Sequence, residues 1–478
     1  MRWNPADHLK TDRRTFLVAS GVGFCGLRFF GGSASAGTAS PSGSLEDLPV
    51  NPKPAKSAIL IWLSGGPSHV DLWDMKPEAP KEYRGEFAPI ASSAPEISLC
   101  EHLPHLARQA HHLALVRSVG MTESPNDHHA GYFYNLTGHR PEPGFNNQRR
   151  PRPDDWPYMG CVVGAKVAQH PYLPQAINLP QKAGEPGSRR PGQFAARLVV
   201  QHDPLHVIGN YEKTTEFRVP ALALRGDVSA DRLRDRRALL SAIDQSERAL
   251  EQAPAIRTYS KLQERAFSLL SEASKSAFAI DEEPTSVLEK YGPGVNATSM
   301  IMARRLVEAR VPFVTLFWMH DYEEDKTFGC NGGAWDTHYK NFSCLKDHLV
   351  PKFDRPFAAL LDALDERGLL DETLVIVTSE MGRKPKIGDR RSGGINGSGR
   401  DHWTPCMSVL FAGGGVRGGQ VYGETDKVGA YPAKNVVGPE HIAKTIYYAM
   451  GVRGLQAMGR DGRPFHLMEE GEPLVELV

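Results

Sequence analysis

Four short, continuously apolar runs constrain this chain more than anything else in it: "SAILIWL" (57–63), "PFVTLFW" (312–318), "TLVIVTS" (373–379) and "CMSVLFAGGG" (406–415). Runs of this length without polar alternation read as strands covered on both faces, the form of a parallel sheet. Helical spacing fills the stretches between them. From Ser343 to Gly368, Leu345, Leu349, Phe353, Leu360 and Leu364 share one helix face, with Pro351 and Pro356 placed to begin or kink the helix and Gly368 to end it. "ATSMIMARRLVEARVPFVTLF" reads as a helix feeding a strand, and "PEHIAKTIYYAMG" opens with Pro and closes with Gly. The alternation predicts an α/β sandwich with a mainly parallel sheet between helices. Residues 229–278 are charged, amphipathic and free of strand signals, so a helical excursion is expected there. The segments 139–158 and 181–193, rich in Pro, Gly and Arg, read as long loops, either substrate walls or surface connections.

The N-terminus has a separate task. "DRRTFLVASGVGFCGLRFFGGSASAG" carries Arg13-Arg14, an apolar stretch weakened by glycines and the small-residue site Ala34-Ser35-Ala36, the pattern of a twin-arginine export signal cleaved after Ala36. Arg28 interrupts an apolar run already shorter than the roughly 20 residues a membrane span requires, so no stable span is expected after cleavage. The expected organisation is a signal over 1–36, a Ser/Pro-rich flexible linker over 37–56 and one folded unit over 57–478, with the export machinery as partner and a periplasmic or extracellular destination. Lys plus Arg and Asp plus Glu are both 56, and the arginine pairs are scattered, which argues against nucleic acid as a partner. Of six cysteines, Cys25 leaves with the signal. Cys330 and Cys344 are close enough in sequence to bridge, but the expectation is lone buried thiols.

In a parallel sheet, ligands bind beyond the carboxyl ends of the strands, so the residues following each apolar run are the ones to inspect. After the first run come Ser68, His69, Asp71 and Asp74; after the second, His320, Asp321, Asp336 and His338; after the third, Glu380; and just ahead of the fourth, Asp401 and His402. "SPNDHHAGYFYNLTG" adds His128 and His129 at the start of an expected helix, where two adjacent histidines cannot both point the same way. Imidazoles and carboxylates gathered from several loops are the donor set of a divalent-metal site, for Zn, Mn, Mg or Ca. Such an ion polarises a phosphoryl or sulfuryl oxygen or lowers the pKa of water. The Gly-rich "SGGPSH" turn can cradle an anion on its backbone N–H groups, or be a plain tight turn.

"LSGGPSHVDLWDMKP", "WDTH", "LLDALDERGLLDETLVIVTSEMGR", "GRDHWTPCMSVLFAGGGVRGGQVYGETD" and "ARRLVEARVPFV" together resemble the exported bacterial family of domain of unknown function 1501, over nearly all of the mature chain. That family is similar to the alkaline phosphatase and sulfatase superfamily, which implies a three-layer alkaline phosphatase-like sandwich with metals at the strand ends. The resemblance sets Asp336 with His338, and His402 beside Asp401, at metal-ligand positions. "VTSEMG" resembles a strand ending "TSDHG", which puts Glu380 at a ligand position and Met381 where a histidine is usual. "HHAGYFYNLTGHRP" resembles the sulfatase stretch that begins with the nucleophile, and His128 falls at that position. The implied function is an exported, metal-dependent hydrolase of sulfate or phosphate esters, acting on a small-molecule or polysaccharide ester. His128 or His129 would serve as base or nucleophile, Asp336, His338, Glu380, Asp401 and His402 at the metal, and Ser68 and His69 at the anion. The alternative is a non-catalytic exported binding protein on a degenerate phosphatase-like scaffold.

Overall fold

The four apolar runs become neighbouring strands of one eight-stranded sheet. In the computed structural model, which describes residues 45–121, 123–184, 186–219, 276–318, 321–330, 333–389 and 399–478, that sheet contains β1 (Ser57–Leu63), β2 (Leu113–Val119), β3 (Ala176–Leu179), β4 (Leu205–His206), β5 (Phe313–Trp318), β6 (Thr373–Thr378), β7 (Met407–Ala412) and β8 (Gln420–Tyr422). The spatial order is β8-β2-β7-β6-β1-β5-β3-β4. β1 lies at the centre, in parallel register with β6 (Ser57 opposite Thr373) and β5 (Ala58 opposite Phe313). The fourth run departs from expectation. β7 is antiparallel to both of its neighbours, β6 and β2, and it alone is reversed. The sheet is therefore mixed and mainly parallel.

Alternation along β1 shows how the layers form. Ile59, Ile61 and Leu63 point to one core, shared with α3 (Val295–Glu308) and α4 (Val350–Glu366). Ala58, Leu60 and Trp62 point to the other, shared with α1 (His128–Thr137), α2 (Met159–Lys166) and α5 (Pro439–Ala449). A strand covered on both faces has no solvent side, which is why its sequence shows no alternation. The expected helix between Ser343 and Gly368 forms in three pieces: Asn341–Cys344, a π-type turn at Leu345–Leu349, and α4, which has Pro351 in its first turn and Pro356 inside.

Two expectations need correction. Cys330 and Cys344 form a disulfide, while Cys100, Cys161 and Cys406 are free and buried. The last part of the expected linker is packed: Leu45 and Ala55 are buried, Ala55 N–H donates to Ala449 O (2.8 Å), and so does the Asn51 side-chain amide (3.1 Å). The export signal lies outside the described residues, as does the helical excursion except for 276–278. Among the described residues no helix is long and apolar enough to cross a membrane.

Candidate functional site

The loops at the carboxyl ends of β1, β5 and β6 meet the start of α1, and a short hairpin, Gly382–Arg383 against His402–Trp403, closes the group. Close backbone approach holds these loops together. Trp335 N–H donates to Ser64 O (2.9 Å), and Gly65, at φ +112°, could carry no side chain: a Cβ there would stand 2.4 Å from Asp336 N. Gly131 on α1 is equally tight, with a Cβ position 2.3 Å from Glu380 O. Asp127 caps α1 by accepting from His129 N–H (2.8 Å) and Ala130 N–H (3.3 Å), fixing where the two histidines begin.

Three donor atoms converge. Asp336 Oδ1 lies 3.1 Å from His338 Nε2 and 3.2 Å from His402 Nε2, and those two nitrogens are 3.0 Å apart. A cation bonded at about 2.1 Å to each would set its ligands roughly 3.0–3.4 Å apart, so the spacing fits a metal. The outer ring nitrogens agree with that role. His402 Nδ1 is 3.2 Å from Asn126 O, which leaves its Nε2 lone pair facing the centre, and His338 Nδ1 lies 3.4 Å from Asp401 Oδ1 without a hydrogen bond. Asp401 Oδ1 also accepts from His402 N–H (2.8 Å). Two overlapping groups result, His128 with Asp336 and His402, and His338 with Asp401 and His402, each with its donors within 4.8 Å of one another. Burial lowers the His402 pKa against the opposing pull of Asp336, which favours the neutral ring that a metal needs.

Glu380 lies beside this cluster, with other partners. Its Oε1 accepts from Gly65 N–H (2.7 Å) and lies 2.8 Å from His128 Nδ1, while Oε2 accepts from the Ser379 hydroxyl (2.8 Å). His128 Nε2 in turn is 3.3 Å from Asp336 Oδ2. Burial would lower the His128 pKa, but Asp336 and Glu380 together raise it to about 9. Glu380 itself is wholly buried, which penalises its charge, yet the hydrogen bond and charge of His128 bring its pKa below the usual value. The expected ligand is thus the partner of a Glu–His dyad, and it is absent from both donor groups.

The other expected residues are distributed as follows. His129 points away from His128: its Nδ1 is 2.6 Å from Arg190 Nη1, and burial together with that guanidinium takes its pKa down to about 4. Ser68 and His69 are not brought to the cluster. The Ser68 hydroxyl donates to Asp71 Oδ2 (2.6 Å), and His69 Nε2 lies 2.8 Å from Gly429 O. The Gly-rich turn does hold an anion on a backbone N–H, but that anion is the chain's own Glu380. Asp71 receives both arms of Arg400 (2.7 and 2.8 Å), and Asp74 is paired with Lys76 (2.9 Å). Asp321 caps a short helix, and His320 lies outside the described residues. Met381 is buried in the second core.

Arg383 is the residue that sequence reasoning missed. It is fully buried, donates to Gly66 O (2.8 Å), to Gly65 O and to Asp336 Oδ1, and so binds the first-strand turn to the ligand loop. Although burial opposes ionisation, Arg383 and His128 hold Asp336 well below the usual carboxylate range. An arginine after a strand reads as surface; only the carbonyls that fold back over it explain its burial. Asn126, whose carbonyl meets His402, carried no signal beyond its place before a helix cap.

Residues 55–478 match the profile of the family described as "Protein of unknown function (DUF1501)". No curated protein matches the chain. Solved structures that resemble it in layout include the PsFucS1 sulfatase from Pseudoalteromonas sp. (13% identity, 84% of this chain and 68% of that one, TM-score 0.37). A magnesium-bound variant of TAB5 alkaline phosphatase (13%, 83% and 98%, 0.37) and the phosphonate monoester hydrolase SpPMH from Silicibacter pomeroyi (13%, 88% and 76%, 0.37) are similar to the same degree. The likeness is weak, and the chemistry below stands on this chain's own residues.

Proposed function

Because the chain belongs to the DUF1501 family, whose description names no activity, we propose a function from the site itself: an exported hydrolase of sulfate or phosphate esters that depends on a divalent cation. The observation that carries this reading is the convergence of Asp336 Oδ1, His338 Nε2 and His402 Nε2 to within 3.0–3.2 Å of one another. Those three residues would hold the ion, with Asn126 orienting His402 and Asp401 beside His338. A bound divalent cation supplies Lewis acidity to a sulfuryl or phosphoryl oxygen.

His128 is the proton carrier of the scheme. Glu380 fixes its Nδ1 side, so Nε2 is the atom presented to the reacting group. Asp336 is the larger of the two carboxylate influences that keep His128 protonated. If a cation engaged Asp336, that influence would weaken, and Nε2 would be able to take a proton from the attacking water and return it to the leaving alcohol. Arg383 keeps Asp336 in place from the buried side.

Metal analysis of the purified mature chain, followed by a panel of aryl sulfates and phosphates with Zn, Mn, Mg or Ca, tests the reading. One ion per chain and turnover of at least one ester class are expected, both lost in the His338→Ala/His402→Ala double variant. A chain that takes up no ion after reconstitution would sink the proposal; one that binds an ion yet turns over no ester would be the non-catalytic binding protein instead. Export has its own readout: the N-terminus of the protein recovered outside the cytoplasmic membrane is expected to be Gly37.

A further inference from the structure

Ala183, Arg190 and Gln193 are tied together by hydrogen bonds, and they deliver one arginine to the start of α1. Gln193 is wholly buried; its amide donates to Ala183 O (2.9 Å) and Arg190 O (2.8 Å) and its oxygen accepts from Ala183 N–H (3.0 Å). Arg190 N–H closes the loop on Ala183 O (3.1 Å). Gly192, at φ +84°, seats the loop against the helix backbone, where a Cβ would stand 2.9 Å from Phe133 Cα and 3.1 Å from Tyr132 O.

The half-buried Arg190 side chain ends 2.6 Å from His129 Nδ1, with its guanidinium carbon 5.6 Å from the Tyr132 ring centre. A guanidinium only donates, so His129 Nδ1 must accept and the ring is neutral. Among the described residues no carboxylate lies within ion-pair distance of Arg190. The contrast with other buried arginines is direct: Arg304 has Glu283, Arg383 has Asp336 and Arg400 has Asp71. A guanidinium partly withdrawn from water, held by a neutral imidazole and with four donors that meet no acceptor among the described residues, is arranged for an oxyanion. That oxyanion would sit beside the first turn of α1, the turn that also carries His128.

We propose that Arg190, positioned by His129, binds a second anionic group of the substrate, so that the ester cleaved at His128 belongs to a molecule carrying at least two oxyanions. The proposal rests on the reading of the His128 cluster as the place where the ester is held. It makes Arg190 part of a substrate wall and gives His129 a positioning role in place of a catalytic one.

Calorimetric titration of the full mature chain with a hexose monosulfate against the corresponding hexose bis-sulfate, and with a hexose monophosphate against the bisphosphate, separates the possible sources of the oxyanion. In one of the two arms the wild type is expected to bind the doubly charged probe about tenfold more tightly than the singly charged one, the worth of one charge-assisted contact. Arg190→Gln should reduce that ratio to within about twofold, and Arg190→Lys should restore part of it, which loss of a purely structural contact would not do. Absence of any preference in the wild type, or a preference that survives in Arg190→Gln, overturns the proposal. Because the readout is binding, an Arg190-dependent preference in a chain that hydrolyses nothing would remove the enzyme reading alone, and turnover without any preference would remove this one alone.

Discussion

A carboxylate at the end of a strand buried on both faces must find donors, and Glu380 finds Gly65 N–H, His128 Nδ1 and the Ser379 hydroxyl. Those partners make it an orienting residue for His128, and the two roles open to it give opposite outcomes. Glu380→Gln is expected to retain one cation per chain while turnover falls by about 10²–10⁴, the usual worth of a positioned proton carrier. His402→Ala should lose the cation as well. Metal content and kcat measured on the same preparations check this, and loss of the ion from Glu380→Gln would return Glu380 to the ligand set. His139 makes a prediction away from the metal. It stacks on Trp156 at 3.8 Å and its Nε2 lies 2.7 Å from Leu467 O; burial, aided by the Arg197 guanidinium, takes its pKa from 6.5 to about 4. The folded protein therefore keeps this ring neutral where the unfolded chain protonates it. Its contribution is complete above pH 6.5 and is lost as pH falls toward 4, by up to about 3 kcal/mol. Urea unfolding of wild type and His139→Gln between pH 4 and 7 should show a shallower pH dependence in the variant.

At the scale of elements, the ligand loop is bracketed. Cys330 and Cys344 lie on either side of Asp336 and His338, 14 residues apart, and their disulfide closes the loop that carries both donors. Asp325 reinforces it, accepting from Ala334 N–H (2.9 Å) and lying 2.8 Å from His348 Nε2. Closing a loop of this length is worth about 3 kcal/mol through the unfolded chain. A Cys330→Ser/Cys344→Ser variant should lose about that much in urea unfolding and bind the cation more weakly, an effect read by competition with a chelator; unchanged cation affinity would mean that the loop is held by its backbone contacts alone. The same loop shows where sequence reading works and where it stops. Apolar runs, helix caps and the His–Asp pairs are local signals, so β1, β5, β6, α1 and the trio Asp336, His338 and His402 are legible one segment at a time. The direction of β7, the bridge between two cysteines and the turning of Glu380 toward His128 depend on which segments meet. Arg383 illustrates the limit, since its acceptors are carbonyls from residues 65 and 66, more than three hundred positions away.

For the whole molecule, the consequence is that the proposed ion-binding donors come from segments distant in sequence that are adjacent only in the folded chain. Asp336 and His338 follow β5, His402 precedes β7, and Asn126, which orients His402, stands ahead of α1. These segments hang from strands that share the central part of one sheet, so unfolding that sheet scatters the donors and the unfolded chain has no comparable site. Cation binding at the proposed site would then add to the stability of the whole fold by mass action, about 4 kcal/mol at a thousandfold excess over the dissociation constant. The midpoint of thermal unfolding should rise by several degrees as free cation is increased, and continue to rise with its logarithm after the site is saturated. His402→Ala should flatten that dependence while remaining folded, because the two cores on either side of β1 contain none of these ligands. A wild-type midpoint indifferent to Zn, Mn, Mg and Ca alike would show that the three converging donors are held by their hydrogen bonds to one another and to Arg383, with no ion between them.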